Sequence, residues 1–496
     1  MLDIKPSDLA EPMLNVKPSD LAEPMLDHHS DDESPSSPPL LPASSSFYDP
    51  KQSSGHQHGT ASIMSCTINL ASTCLGTGVL ALPAAYASAG LLTGNAICIG
   101  AGLLTMSSLV LLDAAATRAG SEPTFYAMCE AVLPGSGRVV DIAVVINCFG
   151  SACAYLVVFG DSLTSALGGL PRRAWVGGAV AAVAPLCFLR SMDALRVTSL
   201  LGVICILAVA LMVLAFALAP TPWLDPCVGR PHWQHIAEEE AAGGLASTCG
   251  GAVVWASAPS RAFAALPIFI NAFTCQQNCF TVLRELETPT HARKLLVIVT
   301  SVGLPSALYV LVASAGYLTF GAAVQSNVLN SFPQTAVVAA ARVSLAFVVL
   351  CSYPLQAYPT RVSITSLIAS FTPPPPPAAA AAATTDTPAR AGGVFVSDAR
   401  ALLVTALFLA SSAAVALSVT DLGTVVGLVG ATGATTIAVI TPGAAFLRAP
   451  GPAAPALRVA AAGMLLLGVV VLVGHFVDSK PPTRAQAFNH SAGFEP

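Results

Sequence analysis

Residues 66–83 read CTINLASTCLGTGVLALP. The stretch carries no charge, and with its flanks it is long enough to cross a bilayer as a helix. Yet Gly76-Thr77-Gly78 falls near its middle. Glycine has no Cβ, permits unusual dihedrals and lets a ligand touch the backbone. Two readings of the glycine pair stay open. One is a small-residue face for helix packing, common in membranes. The other is a break that frees backbone amides and carbonyls into a cavity. In that case the second half-helix turns unpaired N–H groups and a positive dipole end towards a carboxylate.

The rest of the chain says what kind of molecule carries this stretch. Its 496 residues include 22 Lys or Arg and 27 Asp or Glu, so 10% are charged, against roughly 25% in a soluble domain. Hydrophobic residues make up 54% and the mean hydropathy is +0.70. With a net charge of −5, these figures exclude a soluble enzyme, a nucleic-acid binder and a disulfide-built secreted scaffold. Apolar runs such as 197–219 and 459–477 do not alternate in polarity, and each reaches the roughly 20 residues a membrane helix needs. The fold class is an all-α polytopic membrane protein with about eleven spans: 62–88, 92–116, 138–163, 174–190, 197–219, 259–282, 295–320, 336–360, 399–419, 422–446 and 456–477.

With the N-terminus inside, twelve Lys or Arg fall in inner segments and six in outer ones, as the positive-inside rule expects. An odd number of spans places the C-terminal tail, 478–496, outside. That tail holds the sequon Asn489-His490-Ser491, a glycosylation candidate at Asn489. Residues 1–61 open on a tandem repeat, MLDIKPSDLAEP then MLNVKPSDLAEP, and are rich in Pro, Ser, His and Asp. They read as a disordered cytoplasmic tail, either drifting low complexity or a regulatory segment with a cytoplasmic partner. Residues 361–398, with Pro373 to Pro377 and six alanines after them, read as an inner loop. Of the thirteen cysteines, Cys227 and Cys249 lie in the long outer loop, 220–258. They either close that loop or stay as two thiols.

The sixth span supplies a second interruption. Residues 265–278 read ALPIFINAFTCQQN, with Pro267 and a run of Asn, Thr and Gln inside an otherwise apolar helix. Spans one and six are five apart, as two five-helix repeats plus one extra helix require. The spacing favours breaks over a packing face. No Ser/His/Asp array, metal-ligand spacing or phosphate loop occurs, so the chain does not read as an enzyme.

At these residues the chain resembles the amino acid/auxin permease superfamily, most of all its sodium-coupled neutral amino acid transporter branch. The likeness rests on Asn69-Leu70-Ala71 followed by Gly76-Thr77-Gly78-Val79-Leu80, on Leu266-Pro267-Ile268 leading to Leu283-Arg284-Glu285-Leu286-Glu287-Thr288-Pro289, on Gly316-Tyr317-Leu318-Thr319-Phe320-Gly321, and on Tyr353-Pro354-Leu355-Gln356-Ala357-Tyr358-Pro359-Thr360-Arg361. It covers about 62–477. The resemblance implies a LeuT-like 5+5 inverted repeat plus one helix, and an outer-loop disulfide matching Cys227 and Cys249. It implies an amino acid as substrate, neutral in that branch; the two breaks then place it against Leu75, Gly76, Thr77 and Gly78 on one side and Asn271, Phe273 and Thr274 on the other. In that branch sodium falls to the span-one Asn, here Asn69, and to a span-eight hydroxyl. Ser352 stands where the branch commonly has Thr. Alternatives are a proton-coupled carrier of a vacuolar or lysosomal membrane, and an amino-acid sensor acting through the N-terminal tail. Asp113, Asp141 and Asp421 fall near span ends and Asp161 near the outer end of span three, where water is expected to reach them.

Overall fold

The computed structural model describes residues 61–120, 125–188, 196–218, 224–228, 245–371, 399–419 and 421–478. The N-terminal repeat, the polyproline run and Asn489 lie outside these residues. Among these described residues, eight helices are each long and apolar enough to cross a membrane. Span two is Leu91–Ala119, span three Gly137–Leu167, span five Arg196–Leu218 and span seven His291–Phe320. Span eight is Ala336–Phe371, span nine Ala399–Ser418 and span eleven Pro455–Asp478. Span ten runs from Leu422 to Arg448 through π turns at Gly430–Ala434 and Thr436–Ile440. Span four is the short helix Arg172–Cys187.

The two remaining spans are discontinuous. Span one consists of Ile63–Cys74 and Gly78–Ala89, bent by 51°. Span six consists of Pro259–Ala272 and Gln276–Glu285, with Phe273, Thr274 and Cys275 between them. The first half of span one packs on the second half of span six, and the second half of span one on the first half of span six. The pair is therefore antiparallel, as an inverted repeat demands. Among the described residues the fold is predominantly helical, and spans one and six are interrupted and paired as the expected 5+5 inverted repeat requires. At one end of the pair, Ala61 and Leu286 form a parallel bridge, in which the Ala61 N–H donates to the Glu285 carbonyl at 2.9 Å.

Several expectations change. Residues 361–371 are not loop: span eight continues to Phe371, because Ile364, Leu367 and Ile368 keep it apolar until the proline run begins at Pro373. Arg361 is consequently buried, and its guanidinium donates to the Cys187 carbonyl at 2.9 Å. Asp141 does not reach water. It is 5% exposed, and its Oδ2 has no hydrogen-bond partner. Asp161 pairs with Arg172 at 2.7 Å, and Asp113 with Lys294 at 2.7 Å. Both pairs are largely shielded, so each acidic group joins neighbouring spans rather than facing solvent.

Cys227 and Cys249 form a disulfide, with Cα atoms 5.3 Å apart. Cys249 follows a two-stranded hairpin strand, Leu245–Ala246, paired with Ala252–Val253. The hairpin turn is sewn to the end of span seven, where the Thr248 and Cys249 N–H groups donate to the carbonyls of Leu318 and Thr319. Gly321 has φ +56°, and a Cβ there would lie 2.4 Å from the Gly251 backbone. Only glycine permits that approach.

Candidate functional site

The two breaks meet around one cavity. It is lined by Thr73, Cys74, Gly76, Thr77 and Gly78 of span one, and by Asn271, Ala272, Thr274 and Gln277 of span six. Span three adds Asn147, Ser151 and Tyr155, and span eight adds Gln356. The cavity measures about 30 Å³, room for about two waters.

Both breaks have local causes. In span one the Leu75 N–H still bonds back to the Ala71 carbonyl, but the Gly76 N–H turns to the Cys74 carbonyl at 2.8 Å. The helix resumes at Gly78. A Cβ at Gly78 would lie 2.7 Å from the Ala272 Cα and Cβ, so only glycine admits span six at this distance. In span six the Thr274 hydroxyl bonds back to the Ile270 carbonyl at 2.8 Å, which also accepts the Phe273 N–H at 3.3 Å as the helix tightens into its stop. Each restarted helix also begins with amides that have no acceptor in the preceding turn.

The side-chain chemistry is one-sided. Asn147 Oδ1, Gln277 Oε1 and Gln356 Oε1 are buried amide oxygens without a hydrogen-bond partner, and all three residues line this cavity. A buried acceptor left unmade costs about 1–3 kcal/mol, so the cavity favours a guest rich in donors. Tyr155 stands opposite the first break. Its hydroxyl accepts from Gln356 Nε2 at 3.3 Å, and a Cβ on Gly76 would come within 3.3 Å of it. The arrangement thus offers free amides to an anion and amide oxygens to a cation.

Five of the seven expected substrate residues, Gly76, Thr77, Gly78, Asn271 and Thr274, line the cavity. Leu75 and Phe273 do not. Leu75 turns to a neighbouring cavity, and Phe273 is fully buried with its ring edge-on to Tyr309 at 5.0 Å. The span-three residues went unread, although Asn147, Ser151 and Tyr155 follow one another at four-residue intervals, which puts them on one helix face. Gln356 sits inside the Tyr-Pro-Leu-Gln-Ala-Tyr-Pro stretch already singled out.

The two expected sodium residues do not both line either of two cavities, the one above and a second beside it. Ser352 lines a second space of about 20 Å³ with Ser72, Leu75, Gly202, Val203, Val348 and Leu355. Asn69 is not among its walls. Asn69 touches this region through its carbonyl, which accepts from the Ser72 hydroxyl at 2.8 Å and the Thr73 hydroxyl at 3.1 Å.

Eight membrane-length helices among the described residues, together with two spans broken around a polar cavity, define a multi-pass membrane carrier rather than an enzyme. Residues 59–477 match the family described as transmembrane amino acid transporter protein, and the chain belongs to that family. It is 27% identical to vacuolar amino acid transporter 6 of Saccharomyces cerevisiae, over 77% of this chain and 89% of that protein. It is 28% identical to vacuolar amino acid transporter 5 of Schizosaccharomyces pombe, over 84% of this chain and 93% of that protein. It is 24% identical to the rat protein named "Putative sodium-coupled neutral amino acid transporter 11", over 86% of each chain.

Proposed function

We propose that this protein carries amino acids across a membrane as a secondary active transporter, binding the zwitterion between the two breaks. One observation carries the reading: three unpartnered amide oxygens and two helix restarts converge on one cavity. The ammonium group satisfies the oxygens of Asn147, Gln277 and Gln356. The carboxylate takes the amides of Thr77 and Gly78 and the positive end of the second half-helix. Thr77, Asn271 and Thr274 flank the bound group. A cavity sized for about two waters is smaller than an amino acid with a side chain, so loading draws the walls of spans three and eight back from the broken pair, and alternating access follows from rocking that pair against the rest. Uptake of radiolabelled amino acids into proteoliposomes tests this. Binding retained without uptake would turn the reading into that of a sensor, with the N-terminal tail as its output to a cytoplasmic partner.

The coupling ion in this reading is sodium, held near Asn69 and Ser352 beside the substrate. A hydroxyl and backbone carbonyls suit a hard cation, and the space lined by Ser72 and Ser352 adjoins the first break. The rat relative's name supports sodium and neutral amino acids. A proton-driven carrier of a vacuolar membrane is the second reading. It is supported by the names of the two yeast relatives and by the buried carboxyl of Asp141. Replacing sodium by choline at fixed pH separates the two, since unchanged uptake removes sodium.

A further inference from the structure

Span seven contributes no wall to the substrate cavity, yet one of its side chains reaches both breaks. Tyr309 is fully buried. Its hydroxyl donates to the carbonyl of Cys74, the last residue before the gap in span one. It also lies 3.0 Å from the carbonyl of Ala272, the last helical residue before the gap in span six. Both carbonyls stand at helix ends, where the regular donor four residues on is lost, and the Cys74 carbonyl takes the hydroxyl in addition to the Gly76 N–H. One phenolic proton is thus shared between the ends of both first half-helices. The ring is fixed edge-on against Phe273, 5.0 Å away, so the hydroxyl has little freedom to leave.

The placement matters because these two ends set the geometry of the cavity. Cys74 and Ala272 both line it. A further strand of the same tie is the Cys74 thiol, which points to the Phe273 carbonyl at 3.8 Å. Two helix ends that share a donor cannot part without breaking that sharing, so the hydroxyl sets how far apart the amides and carbonyls around the substrate stand. We infer that Tyr309 is a positioning residue for substrate binding, acting through the carbonyls of Cys74 and Ala272 rather than by touching the substrate.

The inference rests on the transport reading above, and its test keeps the two apart. Tyr309→Phe removes the hydroxyl and keeps the ring. Tyr317→Phe is the control. That residue is on the same span, and its hydroxyl accepts from the Val254 N–H at 3.0 Å, away from the cavity. Uptake per folded molecule is measured in proteoliposomes over a panel of amino acids, and amide exchange is followed in peptides covering residues 70–82 and 268–280. The expected result for Tyr309→Phe is an apparent KM raised about tenfold for every substrate carried. The preference among side chains stays unchanged, because the backbone groups grip only the shared zwitterion. Both peptides exchange faster, and Tyr317→Phe does neither. A fall in Vmax with constant KM, or unaltered exchange in the two peptides, would overturn the inference. So would a Tyr309→Phe protein that fails to fold, since positioning requires a folded carrier with a loosened site. If the unaltered protein carries no amino acid, the transport reading fails; the exchange measurement still reports on the hydroxyl's hold over the two breaks.

Discussion

Gly78→Ala is the smallest change that should disable the site. The added Cβ would stand 2.7 Å from both the Cα and the Cβ of Ala272. Carbon atoms settle at about 3.5–4.0 Å, so the second half of span one must retreat by about 1 Å. Neither neighbour can yield by rotating, because one is backbone and the other is the first atom of a side chain. Such overpacking costs about 1–3 kcal/mol. The retreat moves the restarted helix, whose first amides are the proposed carboxylate ligands, away from Asn271 and Thr274. Affinity should fall about tenfold or more, since 1.4 kcal/mol is a factor of ten. The matching control is Gly100→Ala on span two, where a Cβ meets nothing within 4 Å and the helix gains about 1 kcal/mol in propensity. Concentration-dependent uptake in proteoliposomes, corrected for the amount of folded protein, gives the comparison. A Gly78→Ala carrier with the KM of the unaltered protein would refute the reasoning, because it would mean that the approach of the two spans is not what shapes the site.

Asn147→Leu removes one of the three amide oxygens and should raise KM about tenfold for amino acids. Binding of a carboxylic acid lacking the amine should be unchanged, as competition assays would reveal. The double change Cys227→Ser and Cys249→Ser should lower stability by about 3 kcal/mol; a melting curve in detergent reads this, and KM should hold. Arg118 donates to the carbonyls of Phe446, Ala449, Pro450 and Gly451 and lies over the Phe446 ring. Arg118→Met should therefore cost about 2 kcal/mol, seen as a lower melting temperature. At Asp421, burial pulls the carboxyl up, but bonds from the Ser326 hydroxyl and the Thr424 hydroxyl and N–H outweigh it and hold it below the usual carboxylate range. A depressed native value stabilises above the unfolded pKa and is lost as pH falls. The melting-temperature advantage over Asp421→Asn should be constant near neutrality and shrink below about pH 4.

Span number and order were legible because lipid leaves the backbone so few options. A charge-free run of about 20 residues has no other use in such a chain. The interruption at Gly76 to Gly78 could be read for the same reason: the glycines are tolerated where span six approaches, and Ala272 is the atom-level cause. The run past Arg361 was misjudged because a basic residue normally marks a span end. Here the guanidinium turns inward to the Cys187 carbonyl, and Tyr358 lies beneath it, so the helix continues without presenting the charge to lipid. Asp141 was misjudged in the same way. Its place five residues into span three suggests water, but Met128 and Cys129 of the preceding short helix are buried in the cluster that also holds Val140.

The half of the site that went unread shares a physical feature. Breaks announce themselves through glycine and proline, whose backbone effects are local. Asn147, Tyr155 and Gln356 act only through what faces them, and facing depends on packing between spans far apart in the chain. What the sequence does carry is the interval: polar residues at 147, 151 and 155 in an otherwise apolar helix have to share a side. Lipid will not accept that side, because unsatisfied amides are expensive in hydrocarbon. It must therefore turn inward, towards whatever other polar surface the bundle holds. The broken backbone of spans one and six is such a surface, and a helix with one polar stripe can hardly be placed elsewhere.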